Sequence, residues 1–217
     1  DALGFSLLGQ KNSSSNSNQG RDVVLTIRRD IQSLIETELK RGMERYGAKA
    51  GEVLIIQPQT GKILALAAQP KYDQKKYYRY EPALYKNPLL IDLFEPGSIM
   101  KTLTVAAGID TQSISPETEC PRCDGPKTIG KYTIKTWNNE YHPQINMSDA
   151  LAKSDNIAMI YIAEEVGDEE FKEYLKNFGI GEELGVDLYG DNGTPFPSKW
   201  GPVELATRSF GQGITTT

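Results

Sequence analysis

Ser98 and Lys101 are the first residues in this chain whose types and spacing could do chemistry. They lie in Glu95-Pro96-Gly97-Ser98-Ile99-Met100-Lys101, where Pro96 and Gly97 end an extended segment and Leu103, Val105, Ala106, Ala107 and Ile109 continue as an apolar helix. Ser98 then falls in a first helical turn, where free backbone N–H groups and the helix dipole favour developing negative charge. Lys101 follows on the same face, with Cβ atoms about 5–6 Å apart. The pair puts an amine within hydrogen-bond reach of a hydroxyl, which needs a base because it is weakly nucleophilic at its own pKa. Lysine serves as that base only when neutral, and burial beneath an apolar helix lowers its pKa from about 10.4 toward neutrality. Ser-x-x-Lys alone arises by chance about once in a chain of this length. A helix-starting serine beside a solvated lysine explains it without chemistry.

A second constellation, Ser154-Asp155-Asn156, sits between two helical stretches. A helix C-cap followed by an N-cap would also select these residue types. The tripeptide is far rarer than Ser-x-x-Lys, on the order of one in several thousand positions at average composition. Ser-x-x-Lys, Ser-Asp-Asn and Lys-Thr-Gly together form the signature set of penicillin-binding proteins and class A β-lactamases. The first two are present here, in that order.

The elements that must position these residues follow from periodicity and turn chemistry. Residues 12–18 are a polar Asn/Ser tract that reads as linker or loop. Val23 to Ile27 is strand-like, and Asp30 to Arg45 has helical spacing with Asp30 as the candidate N-cap. Val53–Ile56 and Ile63–Ala67, joined by Pro58-Gln59-Thr60-Gly61, form a predicted hairpin whose nearly continuous apolar runs suggest strands covered on both faces. Five tyrosines between residues 70 and 90 (Tyr72, Tyr77, Tyr78, Tyr80, Tyr85) belong either to a tethered surface loop or to a wall over a groove. Residues 111–145 read as irregular, and helices follow from Asn146 or Ser148 to Lys153, from Ile157 to Val166 closed by Gly167, and from an Asp168 cap to Gly179.

A chain of 217 residues suits one domain, or one domain and part of another, with a real core. Its net charge of −5, with no basic stripe, argues against nucleic acid as a partner. No run approaches the ~18 apolar residues of a membrane span, and no signal-peptide core is present, so the chain reads as a soluble piece. Cys120 and Cys123 form a single Cys-x-x-Cys, and His142 is the sole histidine. A zinc site would need two further ligands, so a local disulfide or a pair of free thiols is favoured over metal. A thioredoxin-type centre does not suit a turn-rich loop.

With these motifs the chain resembles the class B penicillin-binding proteins, the monofunctional peptidoglycan D,D-transpeptidases. The resemblance runs from Asp22 to Thr217 through Val24-Leu25-Thr26-Ile27 with Ile31-Gln32, Thr60-Gly61-Lys62-Ile63-Leu64-Ala65 with Pro70, Asn87-Pro88, Phe94-Glu95-Pro96-Gly97-Ser98-Ile99-Met100-Lys101, Ser154-Asp155-Asn156 and Phe210-Gly211-Gln212-Gly213-Ile214. The resemblance implies an α/β (α+β) transpeptidase fold: a central antiparallel sheet, flanking helices and a helical subdomain, over residues 21–217, with residues 1–20 a linker or remnant of an N-terminal region. Two departures stand out. Arg28 occupies a position where the family usually has Asp, and no Lys-Thr-Gly or Lys-Ser-Gly follows the Phe-Gly-Gln-Gly-Ile segment. The expectation is the front part of a transpeptidase domain, incomplete at its C-terminus, with the strand that carries the second oxyanion donor missing.

The resemblance also implies a mechanism. Ser98 attacks the penultimate D-Ala carbonyl of a stem peptide, Lys101 takes its proton, Ser154 relays a proton to the leaving amine, and Asn156 holds Lys101 and the substrate amide. Asp155 joins Asn156 on the substrate-binding side, more as a shaper of the loop than as a reactant. No metal or organic cofactor is required. Stem peptides and β-lactam antibiotics are the implied ligands. A membrane glycosyltransferase and cell-wall assembly proteins are the implied partners, at an extracytoplasmic location with an N-terminal anchor outside this chain. Two other readings compete: a serine β-lactamase or β-lactam sensor, and a catalytically inactive cell-wall scaffold.

Overall fold

The structure, a computed structural model, describes residues 22–186, 188, 190, 193–196 and 200–217. The polar tract at 12–18 and the expected boundary at residue 20 lie outside them. The described residues fall into two compact units, one ending at Ile91 and the other running Asp92–Thr217.

In the first unit, helix α1 (Arg29–Tyr46) covers the hairpin of β1 (Gly51–Gln57) and β2 (Lys62–Gln69). Ile31, Ile35 and Leu39 recur on one face of α1 and pack on Ala65, Ala67, Val53 and Ile55. The alanines of β2 leave room for the helix to lie close to the sheet. Gln32 fixes the register of that contact. Its Nε2 donates to the Leu66 carbonyl and its Oε1 accepts from the Leu66 N–H, both at 2.9 Å, so the side chain acts as one residue of a neighbouring strand. Gly47, at φ 66°, ends α1 in the left-handed region that glycine occupies without strain. The antiparallel ladder runs from Gly51↔Gln69 to Gln57↔Lys62 and shifts register between Ile55 and Ile56.

Three expectations change here. Residues 22–28 form no strand: they run extended along β2, tied by Arg28 N–H to Leu64 O at 2.7 Å and Thr26 Oγ1 to Ile63 O at 2.5 Å, with Val23, Val24 and Leu25 exposed. Asp30 is not the cap of α1. It lies inside the first turn and pairs with Arg28 at 2.8 Å. β1 is not covered on both faces, because exposure alternates along it and leaves Leu54 and Ile56 open. The hairpin turn at 58–61 forms as expected. After it come two 3₁₀ turns (Gln74–Arg79 and Pro82–Tyr85) and the short helix α2 (Pro88–Ile91). The Tyr85 hydroxyl ties the turns together by donating to the carbonyls of Tyr77 and Tyr80.

The second unit is built around helix α5 (Asn156–Val166). Its residues Ile157, Ala158, Met159, Ile160, Ile162 and Ala163 are all buried. Each isoleucine so buried stabilises the fold by roughly 1.5–3 kcal/mol. Around it lie α3 (Met100–Asp110), α4 (Met147–Ala152), α6 (Asp168–Asn177) and α7 (Pro202–Arg208). Gly108 lets α3 approach α5, since a Cβ there would sit 2.7 Å from both Ile162 and Ile114 side-chain carbons. Phe171 and Leu175 of α6 complete a second cluster with Met100, Ala107, Ala163 and Ile214.

Asn146 caps α4 by accepting from the Asp149 N–H at 2.8 Å, and Gly167 closes α5, as the spacing predicts. The cap of α6 is also Gly167, one residue before the Asp168 predicted from side-chain type. Two elements escaped the sequence reading. A small hairpin, β3 (Lys127–Ile129) with β4 (Tyr132–Ile134), interrupts the stretch read as irregular; its signal was the Lys-Thr-Ile and Tyr-Thr-Ile repeats around Gly130. Helix α7 starts at Pro202, and the side chain of Glu204 reaches back to the Gly201 N–H at 2.9 Å.

Candidate active site

Ser98 lies in a 3₁₀ turn (Gly97–Ile99) that runs directly into α3, and its side chain is exposed without a hydrogen bond. This turn is braced by the segment after α7. The Gly97 N–H donates to Gly211 O at 3.0 Å, the Gly213 N–H donates to Glu95 Oε1 at 2.9 Å, and Phe94 and Thr216 exchange both backbone hydrogen bonds. The Thr104 hydroxyl of α3 donates to Ser209 O at 2.7 Å. At Gly211, φ is 79°, and a Cβ there would lie 2.1 Å from the Gly97 carbonyl oxygen. The Phe-Gly-Gln-Gly-Ile motif thus acts as a glycine-only backbone support for the turn that presents Ser98.

Lys101 points into the protein. Only 1% of it is exposed, and its Nζ donates to Ser154 O at 2.6 Å and to Ser154 Oγ at 2.8 Å. Burial pushes its pKa down from 10.5 to about 8, and the nearby Asp155 carboxylate works in the opposite sense. No hydrogen bond joins Lys101 to Ser98 among the described residues; the amine grips Ser154, contributed by another helix junction. Two of its N–H groups go to the two Ser154 oxygens.

Ser154 and Asp155 link α4 to α5. Ser154 is held at φ 56°, a conformation uncommon for a residue with a side chain, by its own N–H to Leu151 O and by the Asp155 N–H to Ala150 O. This backbone twist presents the Ser154 carbonyl and hydroxyl to Lys101 together. Asp155, 2% exposed, caps α5: its Oδ1 accepts from the Ile157 N–H at 2.7 Å and the Ala158 N–H at 3.0 Å. The capping explanation of the tripeptide is thus realised through Asp155, while Ser154 accepts from Lys101. Through these two bonds Asp155 shapes the α4–α5 loop. Asn156 does not hold Lys101; its Nδ2 donates to the Lys135 carbonyl at 2.8 Å, pinning the strand end of β4 to the start of α5.

Cys120 and Cys123 form a disulfide, both fully buried in the core cluster with Ile145, Met147, Ala150 and Ile157. The Cys120 N–H donates to Ile145 O at 2.8 Å and the His142 N–H to Cys123 O at 3.0 Å, so the bridge anchors the loop that leads into α4. His142 was missed as a site residue. Its Nδ1 is buried without a hydrogen-bond partner and faces Asp155 Oδ2 at 3.8 Å. Thr136, Trp137 and His142 line a cavity of about 250 Å³ with Ser154 and Asp155.

The model of the penicillin binding protein transpeptidase domain matches residues 51–217. Stage V sporulation protein D of Bacillus subtilis is 28% identical over 220 residues, covering 100% of this chain and 34% of that protein. The peptidoglycan D,D-transpeptidase FtsI homolog of Mesostigma viride is 31% identical over 213 residues, covering 89% of this chain and 34% of that protein. The chain thus spans about a third of the length of these curated relatives. Among solved structures, the TP domain of Burkholderia pseudomallei penicillin-binding protein 3 superposes with a TM-score of 0.75 at 30% identity, covering 88% of this chain and 54% of that one. A peptidoglycan glycosyltransferase from Burkholderia ambifaria superposes with a TM-score of 0.78 at 28% identity, covering 89% and 57%. The α+β fold anticipated from the motifs is the fold of these neighbours. With the family model spanning the hairpin, the Ser98 turn, the Ser154 junction and the Gly211 brace, the chain belongs to the transpeptidase domain family of the penicillin-binding proteins, on the class B side to which its motifs point.

Proposed function

We propose that this chain carries the nucleophile half of a peptidoglycan D,D-transpeptidase site, working through a serine acyl-enzyme. The observation that carries the reading is the buried Lys101, its pKa lowered to about 8 and its N–H groups engaged by Ser154. In neutral form its lone pair takes the proton from Ser98 Oγ, which bonds to the penultimate D-Ala carbonyl carbon of a stem peptide. The Ser98 backbone N–H, at the start of a helix, stabilises the oxyanion; losing one such donor typically costs about 10²–10³ in kcat. As the C–N bond breaks, the proton passes from Lys101 through the Ser154 hydroxyl to the departing D-Ala amine. The ester on Ser98 is then attacked by an amine of a neighbouring stem peptide, which forms the crosslink and returns the proton to Ser98. The second amide hydrogen of Asn156 is the donor for the substrate's amide oxygen, and Asp155 holds the α4–α5 turn.

A β-lactam presents the same carbonyl in a ring and acylates Ser98. Peptidoglycan as substrate implies an extracytoplasmic site of action and cell-wall assembly proteins, including a membrane glycosyltransferase, as partners. No helix among the described residues is long and apolar enough to cross a membrane.

The test is intact mass before and after incubation with a penicillin, with Ser98→Ala in parallel. A stable one-to-one adduct on the wild-type chain, absent from the variant, is the expected result. An adduct that clears within minutes would favour a β-lactamase. If neither this chain nor a version extended through a Lys-Thr-Gly strand forms an adduct, the enzyme reading is lost to a scaffold.

A further inference from the structure

His142 lies outside the two catalytic motifs, yet its imidazole is held against them. The backbone N–H of His142 is anchored on Cys123 O, beside the buried disulfide, and its Nδ1 faces Asp155 Oδ2 at 3.8 Å. Asp155 divides its carboxylate between two tasks. Oδ1 is saturated by two N–H groups of α5, whereas Oδ2 has His142 as its neighbour. One residue earlier, Ser154 grips Lys101 through both of its oxygens. Imidazole, carboxylate, turn and amine therefore form one contiguous chain from the loop to the base. We infer that His142 is a positioning residue for acyl transfer, which acts through the buried Asp155 carboxylate on the electrostatic surroundings of Lys101. This rests on the transpeptidase reading above.

The sign follows from charge. The Asp155 carboxylate favours the ammonium form of Lys101 and so opposes its action as a base. Neutral His142 leaves that field intact. A proton on His142 would pair the imidazole with Oδ2, across the 3.8 Å gap, and offset that field. In that charge state part of the carboxylate's hold on Lys101 is cancelled, and the base is depleted less than it would be beside an unpaired carboxylate. Asp155 is approached by Lys101 from α3 and by His142 from the 136–146 loop. The other charged residues on the cavity they line are Glu140 and Lys153, both exposed, where water screens them.

The experiment measures the second-order acylation rate by a chromogenic β-lactam from pH 5.5 to 9 for wild type, His142→Gln, Asp155→Asn and the double variant. His142→Gln keeps a polar group at the position but cannot take up a proton. Its rate should fall more steeply than that of wild type on the acid limb of the profile, with the deficit absent on the alkaline plateau. Asp155→Asn should move the acid limb to lower pH and render the His142 substitution silent in the double variant. Thermal melts identify any variant that fails to fold; if Asp155→Asn is one, the profiles of wild type and His142→Gln carry the test. Profiles of identical shape for wild type and His142→Gln, or a uniform loss at every pH, would reduce His142 to a structural residue and overturn the inference. If wild type is not acylated at any pH, it is the transpeptidase reading that fails instead.

Discussion

Gly211→Ala is the substitution for which this structure makes the sharpest demand. The added Cβ would meet the Gly97 carbonyl oxygen at 2.1 Å, its nitrogen at 2.5 Å and its carbonyl carbon at 2.7 Å, all backbone atoms that no rotamer change can move. Relief requires the two backbones to part by more than 1 Å, which breaks the hydrogen bond from Gly97 N–H to Gly211 O. Alanine at φ 79° costs about 1–2 kcal/mol by itself, and the lost hydrogen bond adds about 1 kcal/mol. A destabilisation of about 3 kcal/mol follows. Gly97 precedes the nucleophile, so the parting also displaces Ser98, and a misplacement of about 1 Å is worth roughly 10² in rate. Gly61→Ala is the matched control. It has a similar φ of 69° but nothing within 4 Å of its Cβ, so it should cost about 1 kcal/mol and leave acylation unchanged. Urea denaturation and stopped-flow acylation by a chromogenic β-lactam read the two quantities. A Gly211→Ala chain as stable as Gly61→Ala and acylated within twofold of wild type would refute the bracing role of the Phe-Gly-Gln-Gly-Ile segment.

Three further outcomes are expected. Acylation should rise with pH and level off above about 8, since Lys101 must lose its proton to act and about one molecule in eleven is neutral at pH 7; a rate flat between pH 6.5 and 9 would remove Lys101 as the base. Lys101→Met should abolish acylation while raising stability at pH 7, where the depressed lysine costs the native state up to about 3 kcal/mol. The unfolded chain holds that proton more tightly, so the cost is full below pH 8 and fades between pH 8 and 10.5, and chemical denaturation at pH 7 and pH 10 should show the gain shrinking. Replacing both Cys120 and Cys123 with alanine should lower stability by about 2 kcal/mol, the chain-entropy value for so short a loop, as read by denaturation under non-reducing conditions.

Much of the site was written locally. Ser98 at a helix start, the helices from Asn146 to Gly179 and the 58–61 turn follow from 3.6-residue periodicity and cap chemistry, whose causes lie within a few residues of their effects. The two motifs, met in order, were enough to indicate the family. Where local signals conflicted with neighbours distant in sequence, the reading failed. Val23–Ile27 has strand composition but forms no strand, and the nearly continuous apolar run of β1 leaves one face uncovered. α7 was hidden in a Gly/Pro-rich stretch, and its local signals, Pro202 at the start and Glu204 reaching back to Gly201, went unread. Likewise, Asp30 looked like a cap yet pairs with Arg28 inside the first turn.

What the sequence determined by itself is the inventory: a serine and a lysine on one helical turn, a polar tripeptide between two helices, glycines where the chain must bend. What only the tertiary structure decided is which atoms meet. Lys101 reaches Ser154, 53 residues away, because the side chain is buried and its N–H groups need oxygen acceptors there. Gly211 comes to lie on the backbone of Gly97, and His142 on the carboxylate of Asp155, through the packing of α3, α5 and α7 rather than through any pattern in their own neighbourhoods. Periodicity encodes which face of an element is apolar. It carries no information about which distant element fills the space above that face, and the base, its partner and its support all depend on that choice.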